Sequence, residues 1–152
     1  GEKIFVLVKF RTMHRGRAKS DGERLTELGK WLRRTSLDEL PQLIHILRGE
    51  MSFVGPRPLL VKYQSFYTQP EKKRHSIAPG LTGWAQIHGR NQLSWDQRLA
   101  LDAWYAEHWS LRLDAEILLR TVGCVLLGRG VEVAPAESMD DLDVERARAE
   151  LR

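Results

Sequence analysis

The chain has 152 residues, which suits one domain with a substantial core and is too short for two comfortable ones. Its apolar fraction of 42% and charged fraction of 29% are ordinary for a globular protein, which argues against wholesale disorder, a collagen-like repeat or a coiled coil. A net charge of +4 would suit nucleic acid, an anionic membrane surface or a phosphorylated substrate, and does not choose among them.

Cysteine content and apolar runs narrow the class further. The single cysteine, Cys124, allows neither a disulfide framework nor a cysteine-based zinc cluster, so a reducing compartment is the default expectation. The longest apolar stretch, 117–127, is interrupted by Arg120 and is far shorter than the roughly 20 residues of a spanning helix. No secretory signal is recognisable.

Three elements are predicted before residue 35. The run KIFVLVKF (3–10), rich in Phe, Val and Ile, predicts a strand. The polar, glycine-bearing segment RTMHRGRAKSDG (11–22) predicts a surface loop. Apolar residues then recur at three- and four-residue spacing, which predicts an amphipathic helix over 23–34.

The octet SLDELPQL, which begins at Ser36, places two adjacent carboxylates near the start of a second helix. Ser36 and Glu39 fit the S-x-x-E capping box, so the acids can be interpreted as helix caps. Pro41 belongs in the first turn of a helix, which places the helix start at Pro41 and leaves Asp38 and Glu39 just in front of it. That position favours an anion-binding site, and both interpretations stay open.

The middle of the chain predicts a rigid arginine. MSFVGPRPLL (51–60) reads as a short strand followed by a bend that fixes Arg57 between two prolines. A helix is predicted over 61–67, a polar connection in QPEKKRHS (69–76), and a strand or hairpin in APGLTGWAQIHGR (78–90).

The last third predicts two long helices. Ser94 and Gln97 form a second capping-box pattern, and Asp114 is predicted to cap the last long helix, which ends near Gly128. We therefore expect an α+β fold over 1–130, with amphipathic helices packed against a small β-hairpin or short strands. An acidic C-terminal tail is expected over 131–152.

Several basic residues stand at predicted turns and element ends, where binding residues concentrate. They are Lys9, Arg11, Arg33, Arg34, Arg57 and Arg90. A carboxylate can attack a phosphate when cations, usually arginines and Mg²⁺, neutralise the negative charge. The acidic pair and these cations are therefore compatible with a carboxylate nucleophile assisted by a second acid, although spacing alone does not prove the reaction.

Other motifs point to no further chemistry. The five histidines lack ligand spacing and are interpreted as surface or core residues, and the P-loop, Rossmann and serine-hydrolase motifs are missing from the sequence. The aromatic residues between 84 and 109 are read most simply as core, with a membrane-interface belt as the alternative.

Taken in order, five segments resemble the bacterial sugar transferases that act as monotopic phosphoglycosyl transferases on polyprenyl phosphate. They are KFRTM (9–13), LRRTSLDELPQL (32–43), GEMSFVGPRPLL (49–60), PGLTGWAQIHGRN (79–91) and LDAWYAEHWSLRLDAEILLRT (101–121). The chain is similar to the small single-domain members that start bacterial glycoconjugate assembly, such as that of polysaccharide, O-antigen or glycoprotein glycans.

The resemblance implies a two-step reaction. Asp38 would attack the β-phosphate of a UDP-sugar, release UMP and hold the phosphosugar until polyprenyl phosphate collects it. Glu39 would orient a metal or act as acid/base partner, with Mg²⁺ held by Asp38 and Glu39. The substrate-binding residues implied by position are Lys9, Arg11, Arg33, Arg57, Arg90 and Asp102.

The resemblance also implies partners and a location. The implied partners are a UDP-sugar, polyprenyl phosphate and an anionic membrane surface, with no nucleic acid. PLLVKY and ESMDDL are similar to segments of members that use an N-acetylated amino sugar. The implied location is the cytoplasmic face of the bacterial inner membrane. The chain departs from the family at His45, where asparagine is usual. No segment of this sequence corresponds to the family's re-entrant membrane helix before the first strand, so we expect either a trimmed, membrane-associated catalytic domain or the soluble part of a larger membrane protein. The alternatives are a non-catalytic basic module that binds anionic lipid or nucleic acid, and an inactive scaffold.

Overall fold

The computed structural model describes residues 3–15, 21–89, 93–126 and 141–150. The α-helices are α1 (Asp21–Arg24), α2 (Glu27–Arg34), α3 (Leu43–Leu47), α4 (Gln69–Lys72), α5 (Trp84–Ile87), α6 (Trp95–His108), α7 (Leu111–Leu126) and α8 (Leu142–Glu150). The 3-10 helices are η1 (Leu37–Gln42), η2 (Val61–Phe66) and η3 (Lys73–Ser76), and the strands are β1 (Ser52–Val54) and β2 (Gly80–Thr82). Helices packed with two short strands confirm the predicted α+β class.

The two strands form a parallel pair, with Ser52 opposite Gly80 and Val54 opposite Thr82. Of the strand or hairpin predicted over 78–90, the strand is therefore confirmed as β2 and the hairpin is wrong, because hairpin strands are antiparallel and parallel strands need a crossover. Here η2, α4 and η3 form that crossover. A Cβ on Gly80 would lie only 2.0 Å from the backbone nitrogen of Gly55, so glycine is needed for β2 to approach the bend after β1.

The N-terminal segment 3–10 is not a strand, so that prediction is wrong. Its backbone groups find partners outside any sheet. The Val8 N–H donates to Nε2 of His45 (3.3 Å), and the Phe10 N–H donates to the carbonyl of Asp38 (2.9 Å). Nδ1 of His45 lies 2.6 Å from the Glu50 carboxylate, so this buried histidine joins two segments of the fold.

The predicted helix over 23–34 is divided into α1 and α2. Thr26 caps α2, since its Oγ1 accepts a hydrogen bond from the Gly29 N–H at 2.8 Å. A Cβ on Gly29 would lie 2.0 Å from the Thr12 carbonyl oxygen, so α2 packs directly on the N-terminal segment. This close contact brings Lys9 and Arg33 to the same side of the domain.

Two predicted helix starts have different outcomes. The capping box of α6 is confirmed, with Ser94 and Gln97 exchanging both side-chain to backbone hydrogen bonds. The predicted cap at Asp114 is wrong, because this residue lies inside the first turn of α7. Its carboxylate instead accepts hydrogen bonds from Tyr105 (2.5 Å) and Trp109 (3.2 Å), which pins α7 to α6.

The predicted polar connection over 69–76 is also wrong, since it forms α4 and η3. Thr68 and Glu71 make a capping box there that the sequence analysis missed. The predicted helix over 61–67 is confirmed as η2, in the 3-10 form. The predicted end of the last long helix, near Gly128, lies outside the described residues.

The core consists of two clusters of buried apolar residues. One contains Tyr63, Tyr67, Trp95, Leu99 and Leu142, and the other contains Val54, Tyr105 and Ile117. Trp95 and Tyr105 are buried as predicted, whereas the core interpretation is wrong for Trp104 and Trp109, which are exposed. None of the described helices combines the length and apolar character required to cross a membrane.

Candidate active site

A cavity of about 540 Å³ lies between the N-terminal segment, η1, the bend after β1, and helices α5 to α7. Its polar lining includes Lys9, Arg33, Asp38, Glu39, Arg57 and Arg98. Five of these six were predicted as site residues, from three separate stretches of sequence. The structure therefore brings the acidic pair and three of the predicted cations into one cavity.

The acidic pair lies within the first turn of η1, so the predicted helix start at Pro41 is wrong. The 3-10 helix begins at Leu37, directly after Ser36, which adopts a left-handed conformation with φ of 57°. The capping interpretation also fails. Ser36 makes no side-chain cap bond, and its N–H donates to the Arg33 carbonyl.

Glu39 is held by two cations. Its Oε1 accepts hydrogen bonds from Nζ of Lys9 (2.8 Å) and Nη2 of Arg57 (2.5 Å). Burial opposes its ionisation, but the charges of Arg57 and Lys9 outweigh burial and lower the pKa of Glu39 to about 2. Glu39 is therefore ionised throughout the physiological range, with its charge offset by its neighbours.

Asp38 differs from Glu39 both in its surroundings and in the direction of its pKa shift. Burial, followed by the charge of Glu39, raises the pKa of Asp38 against the opposing effects of Lys9 and Arg33. Among the described residues, no side chain donates a hydrogen bond to its carboxylate. Asp38 thus presents to the cavity a carboxylate that is more basic than an ordinary aspartate and that no described side chain hydrogen-bonds. Two adjacent acids with separated pKa values are suited to different roles.

Arg57 is held in place at two points, by Glu39 at its guanidinium and by Arg74 at its backbone carbonyl. Its carbonyl accepts a hydrogen bond from Nη2 of Arg74 (2.5 Å), and the same nitrogen donates to Asp102 (2.8 Å). Asp102 is only 1% exposed and does not line the cavity. The resemblance implies that Asp102 contacts the substrate directly. The structure instead buries this carboxylate outside the cavity lining and pairs it with Arg74.

The remaining predicted cations are placed differently. Nε of Arg33 donates to Oγ1 of Thr12 (3.0 Å), which orients its guanidinium at the cavity wall. Arg11 is exposed and does not line the cavity. Arg90 lies outside the described residues.

Arg98 is the cavity residue that the sequence analysis missed. Its guanidinium lies 4.9 Å from the centre of the Trp95 ring, and burial, followed by the charge of Arg57, lowers its pKa. A signal was available in the spacing. Arg98 stands three residues after Trp95 and four before Asp102, so it shares the buried face of α6, where an unpaired solvent-facing charge is not expected.

The acidic pair also fits Mg²⁺ by its chemistry. The described residues contain no cluster of three or more His, Cys, Asp or Glu that could hold a metal ion alone. Mg²⁺ is usually bound through one or two carboxylates together with water and substrate phosphates. The carboxylates of Asp38 and Glu39 match that sparse protein contribution, at the wall of a cavity large enough for a phosphorylated ligand.

The fold and the site define a small α+β domain that presents two carboxylates in a cation-lined cavity. The chain belongs to the bacterial sugar transferase family, whose family model matches residues 1–128. The resemblance drawn from the sequence motifs is thereby confirmed, and the family places the chain among enzymes of the transferase class.

Individual relatives agree with this assignment. The chain is 48% identical over 135 residues to EpsL of Bacillus subtilis, an uncharacterized sugar transferase, covering 86% of this chain and 67% of EpsL. It is 46% identical over 110 residues to the exopolysaccharide production protein ExoY of Sinorhizobium fredii, covering 72% of this chain and 49% of ExoY. It is 43% identical over 103 residues to the undecaprenyl-phosphate galactose phosphotransferase of Salmonella typhimurium, covering 68% of this chain and 22% of that protein.

Proposed function

We propose that this chain is the catalytic domain of a phosphoglycosyl transferase, which moves a phosphosugar from a UDP-sugar to polyprenyl phosphate and releases UMP. The observation that carries the proposal is the carboxylate of Asp38, which lines the cavity without a hydrogen bond from any described side chain, beside Glu39, whose charge Lys9 and Arg57 offset. The names of relatives support the substrates, since they include an undecaprenyl-phosphate galactose phosphotransferase and a UDP-galactose-lipid carrier transferase.

In the first step, a carboxylate oxygen of Asp38 forms a bond to the β-phosphorus of the UDP-sugar. The bond from that phosphorus to the oxygen shared with the α-phosphate breaks, and UMP leaves with the electron pair. Arg33, Arg57 and Arg98 line the cavity, where they can offset the charge of the diphosphate. When bound by Asp38 and Glu39, Mg²⁺ supplies further neutralisation of the phosphate oxygens.

In the second step, a phosphate oxygen of the polyprenyl phosphate attacks the phosphorus of the aspartyl-bound phosphosugar. The acyl phosphate bond breaks and Asp38 is regenerated as a carboxylate, so the product is a polyprenyl diphosphate sugar. Both steps use the same carboxylate and the same cations, which explains why one cavity can serve two substrates in turn.

The apolar part of the cavity suits a lipid acceptor. Phe10, Leu40, Phe53 and Leu118 line the cavity and remain substantially exposed. A ligand with a phosphate head and a hydrocarbon chain would meet cations and apolar side chains in the same cavity. We place the protein at the cytoplasmic face of the bacterial inner membrane, where an anionic surface would complement its net positive charge.

The test is a screen for nucleotide release. The chain is incubated with Mg²⁺, detergent-solubilised undecaprenyl phosphate and, separately, UDP-galactose, UDP-glucose and UDP-N-acetylglucosamine. We expect UMP from at least one donor, and an aspartyl phosphosugar adduct by intact mass when the lipid is omitted. Release of UDP, or binding of anionic vesicles with no UMP from any donor, would contradict the proposal.

The acid side of the pH profile of UMP release should reflect the protonation of Asp38. Its pKa is raised, so protonation removes the nucleophile at a pH where an ordinary aspartate is still ionised, and kcat/KM for UMP release falls as pH falls through that value. Glu39, with a pKa of about 2, stays ionised over the same range. Lys9→Met should move the acid limb to higher pH, because Lys9 lowers the pKa of Asp38. Lys30→Met, at an exposed pair with Glu27, should leave the limb in place.

A further inference from the structure

Helix α8 is anchored in the core by one residue. Leu142 is 0% exposed and belongs to the aromatic cluster, defined as Tyr63, Tyr67, Trp95, Leu99 and Leu142. The family model ends at residue 128, so α8 lies beyond the region that this chain shares with the family as a whole. Part of the segment predicted as an acidic tail is therefore packed into the domain.

Polar contacts fix α8 at two further points. Asp141, directly before the helix, accepts a hydrogen bond from the Tyr63 hydroxyl at 2.9 Å. One turn into the helix, Nη2 of Arg146 donates to Glu71 (2.7 Å) and to Asp96 (2.6 Å). Helix α8 is thereby connected to η2, α4 and α6.

The aromatic cluster in turn supports the arginines of the cavity. The Trp95 ring lies under the guanidinium of Arg98, and Tyr67 lies 5.7 Å from the guanidinium of Arg74. Arg74 donates to the carbonyl of Arg57. The cluster is therefore one contact from Arg98 and two contacts from Arg57.

A third connection runs along the chain. Leu59, two residues after Arg57, packs against the aromatic cluster, and η2 begins two residues later. The bend that carries Arg57 is consequently held between β1 on one side and the cluster on the other. Truncating the fully buried Leu142 side chain should loosen this bend even though Leu142 lies outside the cavity.

We infer that Leu142 is a positioning residue, and that α8 holds Arg57 and Arg98 in the arrangement that binds the diphosphate of the donor. An arginine that is already ordered loses less conformational entropy when it binds a phosphate, so ordering it in advance increases the affinity for the phosphate. The identity of the ligand rests on the proposed function, whereas the coupling between α8 and the arginines does not.

The experiment compares Leu142→Ala with Val144→Ala, a matched truncation at an exposed position of the same helix. Hydrogen exchange is measured by mass spectrometry on the full chain, and UDP binding is measured by titration calorimetry. We expect Leu142→Ala to accelerate exchange over residues 57–67 and to weaken UDP binding about tenfold, and Leu142→Met to restore both to within about threefold. Val144→Ala should match the unsubstituted chain in both measurements.

A double-substitution cycle separates positioning from general loss of stability. If Leu142 acts through the arginines, the effect of Leu142→Ala on UDP affinity should shrink to less than about threefold in an Arg57→Ala, Arg98→Ala background. An undiminished effect in that background, or faster exchange confined to α8, would overturn the inference. If Leu142→Ala does not fold, Leu142→Val is used, with an expected loss of about threefold in UDP affinity.

The two proposals can fail separately. If the unsubstituted chain binds no UDP, the proposed donor is wrong, and the exchange of residues 57–67 in Leu142→Ala still decides whether α8 orders the Arg57 bend. Normal exchange there in a folded Leu142→Ala would overturn the inference even if UDP binds and UMP is released.

Discussion

Asp38→Asn should lower UMP release by at least about 10³-fold, with no phosphosugar adduct detectable by intact mass. Asparagine keeps the shape of the side chain but has no anionic oxygen to attack the β-phosphorus. UMP formation at saturating UDP-sugar measures the loss. Because no described side chain hydrogen-bonds the Asp38 carboxylate, the loss should come from the chemistry and not from the fold.

Thermal unfolding provides the control for this substitution. A carboxyl whose pKa is raised on folding destabilises the native state at pH values above that pKa, where its ionised form predominates. Asp38→Asn should therefore unfold at the same temperature as the unsubstituted chain or higher at pH 7. Retained UMP release, or an adduct that maps to Glu39, would show that the roles of the two acids are reversed.

The sequence predicted much of the site but not how it is built. SLDELPQL and the Pro-Arg-Pro bend carry their chemistry locally, so Asp38, Glu39 and Arg57 could be named in advance. The contact between Arg57 and Glu39 could not be predicted, because it forms only when the bend approaches η1, and these two residues are 18 positions apart in the chain. Asp102 shows the opposite error, since an acid in a matching motif was expected to contact the substrate and is instead buried outside the cavity lining, paired with Arg74.

Two similar patterns show why local rules succeed at one helix and fail at another. Ser94 and Gln97 form their capping box, with both side-chain to backbone hydrogen bonds present. At Ser36 the same pattern fails, since Lys9 and Arg57 bind the Glu39 carboxylate and hold it away from the Ser36 backbone. Two cationic donors stabilise the ionised carboxylate more than one backbone N–H does, and these cations become available only after distant segments meet.

The N-terminal segment is a third case. The apolar run 3–10 favours extended backbone, and the segment is indeed not helical. Propensity does not supply a neighbouring strand, and here the backbone pairs with the His45 side chain and the Asp38 carbonyl. This arrangement positions Lys9 beside Glu39, so the departure from the predicted strand is part of how the site forms.

Arg57→Ala should lower kcat/KM for UMP release by about 10²- to 10³-fold, comparable to the loss of one donor from a preorganised anion site. Arg57→Lys should recover only part of this activity. A lysine presents a single point charge in place of the planar fork of arginine, so it cannot match Glu39 and a phosphate with the same geometry. Arg112→Ala, at an exposed position on α7, is the matched control and should retain full activity.

The same variant should alter stability in acid, which tests the contact with Glu39 independently of catalysis. The pKa of Glu39 is lowered from 4.5 to about 2, so this group contributes stability that is present above about pH 4.5 and is lost as pH falls towards 2. Without Arg57 the folded pKa lies closer to 4.5, the native and unfolded states bind more similar numbers of protons, and unfolding temperature should fall less steeply across that range. A variant that loses activity but keeps the full acid dependence would show that Arg57 serves the ligand and not Glu39. The opposite result would assign it a purely structural role, so the two measurements together decide what this proline-flanked arginine does.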